Sequence, residues 1–164
     1  MFIFREEPDL TNCYVVGCGE TKEAIIIDPG FGKDIDGEEI LKEIHKDGLK
    51  LKYVIITHGH PDHVLGVGFI NKATGAKIMI HEDDSSMLFD PAVKNKVKLV
   101  TLPVESLLQD GDSIRVGKIS AKILHTPGHT AGSIFILMGD AVFTGDTLFM
   151  GSIGLVKTQR PLQK

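Results

Sequence analysis

Within seven consecutive residues, Thr57-His58-Gly59-His60-Pro61-Asp62-His63, the chain carries three histidines and a carboxylate. Imidazole nitrogens and carboxylate oxygens at this density are the donor set that zinc and similar divalent ions take. Without a cation, four such groups would crowd one another whether neutral or charged. A single histidine beside a strand carries no such meaning, being usually solvated or hydrogen-bonded. The apolar run Tyr53-Val54-Ile55-Ile56 just before the motif reads as a buried strand. A strand end is a rigid place from which to aim short polar side chains. His58 and His60, two apart, can project to one side of extended backbone. Asp62 and His63 fall on the turn that follows and can face a second point nearby. The spacing suggests two adjacent metal positions.

The elements that must position these groups can be read outward from the motif. Residues 12–16 and 24–27 are strand-like and joined by Gly17-Cys18-Gly19-Glu20, a β-hairpin whose second strand ends in Asp28-Pro29-Gly30. Asp28 either reaches toward the metal region as an outer carboxylate or stabilises its own turn. Asp36-Gly37-Glu38-Glu39 predicts a helix start with Asp36 as the cap, its apolar face formed by Ile40, Leu41 and Ile44 and its end at Gly48. His45 falls on the polar side of that helix. After the motif, residues 64–74 predict one helix closed by Gly75, and residues 77–81 another strand. Strand-helix-strand-helix-strand order argues for an α/β arrangement. His81 ends that strand before the acidic Glu82-Asp83-Asp84, and a structural role is favoured for it. Residues 85–110 read poorly, as a short helix and a connection suited to a lid. From Asp112 the pattern turns to hairpins: strands over 113–116, 119–124, 133–138 and 141–143, with tight turns at Gly117 and Gly139. Both halves thus place a His-bearing loop after a strand, which suggests two facing sheets with the site at their shared edge. His129, in a Pro-Gly-His-Thr turn, is placed to complete a three-histidine set with His58 and His60. Asp146, in Thr-Gly-Asp-Thr, again sits at a strand end.

Composition narrows the classes. At 164 residues the chain holds one domain with a real core. Its 42% apolar content is that of an ordinary globular protein, and its formal net charge of -4 argues against a broad nucleic-acid footprint. No apolar run approaches a membrane span, and the opening Met1-Phe2-Ile3-Phe4-Arg5-Glu6-Glu7 does not have the form of a signal peptide. The expected setting is cytoplasmic, with no nucleic-acid or membrane partner and a small-molecule substrate. Cys13 and Cys18 are then reduced thiols, one in the core and one in a turn.

The segment 58–63 resembles the His-x-His-x-Asp-His signature of the metallo-β-lactamase fold superfamily, and the wider context is most similar to its glyoxalase II-like branch. Two further segments agree in order: His125-Thr126-Pro127-Gly128-His129-Thr130, then Phe143-Thr144-Gly145-Asp146-Thr147-Leu148-Phe149. The similarity runs from near Asn12 to about Gly154. It implies an αββα four-layer sandwich and a ligand set of His58, His60, Asp62, His63, His129 and Asp146. It also implies that Asp146 bridges two ions, and that His125 packs or supports a ligand from behind. Two zinc ions are the expected cofactors, with iron or manganese as alternatives. Two metals about 3.5–4 Å apart would bring a bridging water to a pKa near 7 and present hydroxide to a carbonyl. Asp62 is the expected catalytic residue, orienting that hydroxide. The resemblance implies hydrolysis of thioesters or related esters.

The chain departs from that pattern at its end. Relatives continue through more helix and strand to a last histidine that serves the second metal, whereas here no histidine follows His129. Residues 1–154 are expected to form the domain, without the usual last strand and helix elements, and 155–164 an atypical tail. That leaves Asp62, His63 and Asp146 for the second metal, and an uncovered edge open to self-association. Two other readings stay open. One is a mononuclear iron oxygenase resembling persulfide dioxygenases, which would use His58, His129 and Asp146. The other is a truncated fragment that binds metal without turnover.

Overall fold

The computed structural model describes residues 1–6, 11–31, 34–89 and 104–156. The connection over 90–103 and the tail from 157 lie outside the described residues. The fold is built on a run of isoleucines. In β3 (Glu23–Ile27) every residue from Ala24 to Ile27 is fully buried, so both faces of this strand are covered. Successive side chains of a strand point to opposite faces. Accordingly Ala24 and Ile26 enter one apolar core, and Ile25 and Ile27 enter another. β4 (Lys50–Ile56) repeats the division, with Val54 and Ile56 on the first side and Ile55 on the second.

The larger sheet has six strands in the order β1-β2-β3-β4-β5-β6. β1 (Phe2–Glu6), β2 (Thr11–Gly17) and β3 run antiparallel, and β4, β5 (Lys77–His81) and β6 (Val104–Leu108) continue from β3 in parallel. The parallel part needs crossovers, supplied by α1 (Asp34–Lys46) and α3 (Val67–Thr74), whose Ile40, Ile44, Val67 and Ile70 fill the first core. The second sheet is the antiparallel meander β10-β9-β8-β7, formed by β7 (Ser113–Val116), β8 (Ile119–His125), β9 (Ile134–Met138) and β10 (Ala141–Phe143). Its inward residues Ile114, Val116, Ala121, Ile123, Ile134 and Ile136 meet Ile25, Ile27 and Ile55 in the second core. Helices, sheet and sheet are thus stacked in layers. A short hairpin, β11 (Leu148–Phe149) with β12 (Ser152–Ile153), follows. Among the described residues no helix covers the outer face of the second sheet, and none is long and apolar enough to cross a membrane.

The α/β class, the facing sheets and most strands agree with the sequence reading. Two helix boundaries do not. Asp36 does not cap α1, which starts two residues earlier at Asp34; Asp36 lies within its first turn. The single helix expected over 64–74 is two: α2 (Pro61–Val64) and α3. The break falls at Leu65 and Gly66, where the Gly66 amide donates to the Pro29 carbonyl at 2.8 Å. Gly66 also lies flat against the Phe31 ring, where a Cβ would come within 2.4 Å of ring carbon. The C-terminus of α1 was legible: the Gly48 amide donates to the His45 carbonyl and the Leu49 amide to the Ile44 carbonyl, a Schellman closure.

Ile55 is fully buried between the sheets and sits two residues before the histidine motif. Ile55→Ala is expected to lower unfolding free energy by about 2–5 kcal/mol, measured by denaturant titration.

Candidate metal centre

Every group singled out in the sequence arrives from the C-terminal end of a strand. His58 and His60 follow β4, His129 follows β8, and Asp146 follows β10. The local sequence explains how adjacent donors separate. His60 keeps extended backbone, φ -70° and ψ 151°, as the residue before α2, and Pro61 starts the helix because its missing N–H costs nothing there. Asp62 and His63 therefore lie in a helical turn, from which the His63 ring comes to 4.0 Å, centroid to centroid, from that of His58.

Two groups of donor atoms result. Ring nitrogens of His58, His60 and His129 lie within 4.8 Å of one another, as do donor atoms of His58, His63 and Asp146. In the first group His129 Nε2 and His60 Nδ1 are 2.8 Å apart, against about 3.3 Å for two nitrogens on one tetrahedral zinc ion. The second ring nitrogen of His129, Nδ1, donates to the backbone carbonyl of Leu155 at 3.0 Å, which leaves Nε2 with its lone pair toward the cluster. Asp146 divides its oxygens between the groups: Oδ1 lies 3.2 Å from His63 Nε2, and Oδ2 lies 3.7 Å from His129 Nε2. Gly145, at φ +48°, lets this loop press onto Thr57, where a Cβ would come within 2.4 Å of Thr57 Oγ1.

Asp28 takes the first of the two alternatives left open by the sequence: the bonds its side chain makes among the described residues reach Thr57 and His63, not its own turn. It is 2% exposed. Its Oδ1 accepts the Thr57 amide at 2.7 Å, and its Oδ2 accepts the Thr57 hydroxyl at 2.6 Å and His63 Nδ1 at 2.9 Å. With Nδ1 so engaged, His63 turns Nε2 into the cluster. Nε2 is buried without a hydrogen bond, 3.5 Å from Asp62 Oδ2 and 3.2 Å from Asp146 Oδ1. A buried imidazole nitrogen facing two carboxylate oxygens is the electronic arrangement that a cation satisfies. Asp62, partly exposed, accepts from Thr11 Oγ1 at 3.1 Å. Without a cation, burial pushes the His63 imidazole down, but the Asp28 carboxylate, with Asp146 and Asp62, outweighs it and raises the pKa to about 10. Burial likewise pushes the Asp146 carboxyl up, and His63, His129 and His60 more than offset this and hold it low.

Sequence reasoning missed two participants. The Leu155 carbonyl, a backbone atom, leaves no signal in residue types. Asp84, fully buried, accepts hydrogen bonds from both histidine-bearing loops, and only the oddity of an acid just after a core strand could have marked it. His81 and His125 lie outside both groups. Their rings stack at 3.9 Å and 15°, and with Asp83 they form a further group of donor atoms within 4.8 Å. His125 Nε2 bonds the Ala131 carbonyl and His81 Nδ1 accepts the Asp83 amide. Burial, then the neighbouring His125, lowers the His81 pKa. The stack joins the end of β5 in the larger sheet to the end of β8 in the second. Cys13 and Cys18 are buried and not joined in a disulfide.

The profile of the Metallo-beta-lactamase superfamily matches residues 7–163. The chain belongs to the metallo-β-lactamase superfamily. An uncharacterized protein of Mycobacterium tuberculosis strain H37Rv is 36% identical over 160 residues, covering 87% of this chain and 70% of that protein. Among solved structures, the BLEG-1 B3 metallo-β-lactamase superposes with a TM-score of 0.78 at 29% identity, over 93% of this chain and 75% of that one. TTHA1623, determined in a di-iron-bound form, gives a TM-score of 0.75 at 30% identity over 94% and 76% of the two chains. This superfamily's metal-dependent hydrolase fold accounts for the two sheets and for the cluster of histidines and aspartates at their shared end.

In this superfamily member a cleft of about 390 Å³ opens over Asp62, His63 and Asp146, with Thr11 and Tyr14 on one wall and Leu148, Phe149 and Met150 at its rim. That volume suits a small molecule. The raised pKa of His63 has a measurable consequence for the metal-free protein. The stabilisation from its pairing with Asp28 is complete below about pH 6.5 and is lost as pH rises toward about 10. Chelator-treated protein is expected to melt at progressively lower temperature across that window. Asp28→Asn should flatten this pH dependence as well as lower the melting temperature at neutral pH, which differential scanning calorimetry would show.

Proposed function

We propose that this chain is a hydrolase of the glyoxalase II-like branch that cleaves thioesters or related esters with two metal ions. The observation that carries this reading is the division of Asp146, one oxygen toward His63 and the other toward His129. Two donor groups joined by one carboxylate are what a pair of ions requires. His58, His60 and His129 would hold one ion; Asp62, His63 and Asp146 would hold the other, with Asp146 shared. Zinc is the expected metal, with manganese or iron as alternatives. Bound there, the ions supply Lewis acidity toward a carbonyl oxygen and a nucleophile from water near neutral pH. The di-iron form of TTHA1623 supports a two-metal reading.

The remaining roles fall to the chain itself. Asp62, steadied by Thr11 and facing the cleft, orients the attacking water. Asp28 fixes the tautomer of His63, and the Leu155 carbonyl fixes that of His129, so that each presents Nε2. A thioester suits such a site because a thiolate is a weak base and leaves without strong acid assistance. The substrate is a small molecule that fits the cleft.

A second reading has its own support. His58 and His129 have ring centroids 4.7 Å apart, and Asp146 Oδ2 lies 3.7 Å from His129 Nε2. Two histidines and one carboxylate are also the set used by mononuclear iron oxygenases.

Elemental analysis of protein purified without added metal separates the two. The hydrolase reading expects near two equivalents of zinc, manganese or iron per chain, and thioester turnover. His58→Ala and His129→Ala are expected to lose the first ion and all activity, and His63→Ala to lose the second ion. One equivalent of iron would favour the oxygenase. Unchanged metal content in His129→Ala would overturn the ligand assignment for both.

A further inference from the structure

The two loops that carry the three-histidine group come from different sheets, after β4 and after β8. Something must hold them in register, because the nitrogens of His60 and His129 meet across the gap between them. Asp84, in the 3₁₀ helix Glu82–Phe89 that follows β5, lies behind both loops. Its side chain is 1% exposed. Oδ2 accepts the Gly59 amide at 2.9 Å, from the residue between His58 and His60. The same oxygen accepts the hydroxyl of Thr130, the neighbour of His129, at 2.7 Å, and Oδ1 accepts the Gly132 amide at 2.7 Å. The Thr130 hydroxyl is also 2.7 Å from Ser133 Oγ, which closes the second loop on itself. Glycine at 132 permits this approach: a Cβ there would meet the Asp84 amide nitrogen at 2.6 Å and its side-chain carbon at 2.8 Å.

Asp84 belongs to neither group of donor atoms. A buried carboxylate is costly unless its oxygens are satisfied, and here every bond that satisfies it comes from a ligand-bearing loop. We infer that Asp84 is a positioning residue that sets the geometry, and hence the affinity, of the His58, His60 and His129 position without touching the metal. This rests on the metal-binding reading above. The other position has its own buried carboxylate, Asp28, bonded to His63. The two acids therefore divide the work, and a change at Asp84 should be felt at one metal position far more than at the other.

The test is a two-step zinc titration of the full chain in competition with a chromophoric chelator. The steps are assigned with His58→Ala and His63→Ala, and the ligand field is read from the visible spectrum of the cobalt(II)-loaded protein. Asp84→Asn keeps the size of the side chain but turns an amide NH2 toward an incoming N–H, so one loop must move. It is expected to weaken the step that His58→Ala removes by about 10- to 100-fold and to shift the cobalt spectrum. The step that His63→Ala removes should change far less. Thr130→Val, which keeps the carboxylate and both amide bonds, should weaken the same step by about 2- to 10-fold. Ile136→Val, a core change that lowers stability without touching either loop, should leave both steps alone. Folded Asp84→Asn with an unaltered first step would overturn the inference. If Asp84→Asn does not fold, an unaltered first step in Thr130→Val would do so. If His58→Ala itself keeps both steps, the metal reading fails instead, and this inference with it.

Discussion

The arrangement depends on burying one negative charge at the end of β3. Asp28 stands at φ +49°, a conformation uncommon for residues with a side chain and one that its surroundings compel here. Compulsion comes from three donors, the Thr57 amide, the Thr57 hydroxyl and His63 Nδ1, converging on its two oxygens. Thr57 in turn uses its carbonyl to accept the Ile134 amide at 3.0 Å, so the larger sheet is pinned to the second at the residue before the first histidine. Charge, backbone strain and the joint between sheets meet in one place. Removing any of them would leave a buried polar group unmatched, which costs more than the bond itself contributes.

How much of this could be read in the sequence follows from how each feature is encoded. Strands with apolar residues on alternate or successive positions, such as β3, β4 and β9, declare themselves because burial acts on side chains. The six candidate donors can be picked out because few other pressures would gather such residues at strand ends. β1 and β6 did not, since Phe2–Glu6 and Val104–Leu108 lie at the edges of the sheet, where one flank is free and the pattern is diluted. The α2–α3 break has no local signal because Leu65 and Gly66 are tolerable in a helix; what marks it is the Pro29 carbonyl, which takes the Gly66 amide, with Phe31 packed on Gly66, both distant in sequence. Asp84 is one of three consecutive acids, and nothing local sets it apart from the other two. Its burial depends on Gly59, Thr130 and Gly132, which only the folded chain brings to it.

The site is thus divided between a back and a front of different chemistry. Behind the donors, Asp28 and Asp84 are saturated with short bonds from backbone amides, hydroxyls and the His63 ring, and the first loop leaves a strand, β4, whose last residues are buried on both faces. In front, the cleft is walled by Thr11 and Tyr14 and edged by Leu148, Phe149 and Met150. The first set determines whether the donors converge. The second determines what can reach them.

That edge is carried by the small β11–β12 hairpin, whose apolar side chains are exposed and whose ties to the site run through main-chain atoms: Leu148 O accepts the Thr144 hydroxyl, and the Gly154 amide donates to Thr147 O. Main-chain ties do not depend on which side chains the hairpin bears. Residues 148–150 are therefore free to vary in size and polarity while the ligand geometry stays as it is. In evolutionary terms the mouth of the cleft can diversify independently of the centre beneath it. A designer seeking altered selectivity would begin with these three positions.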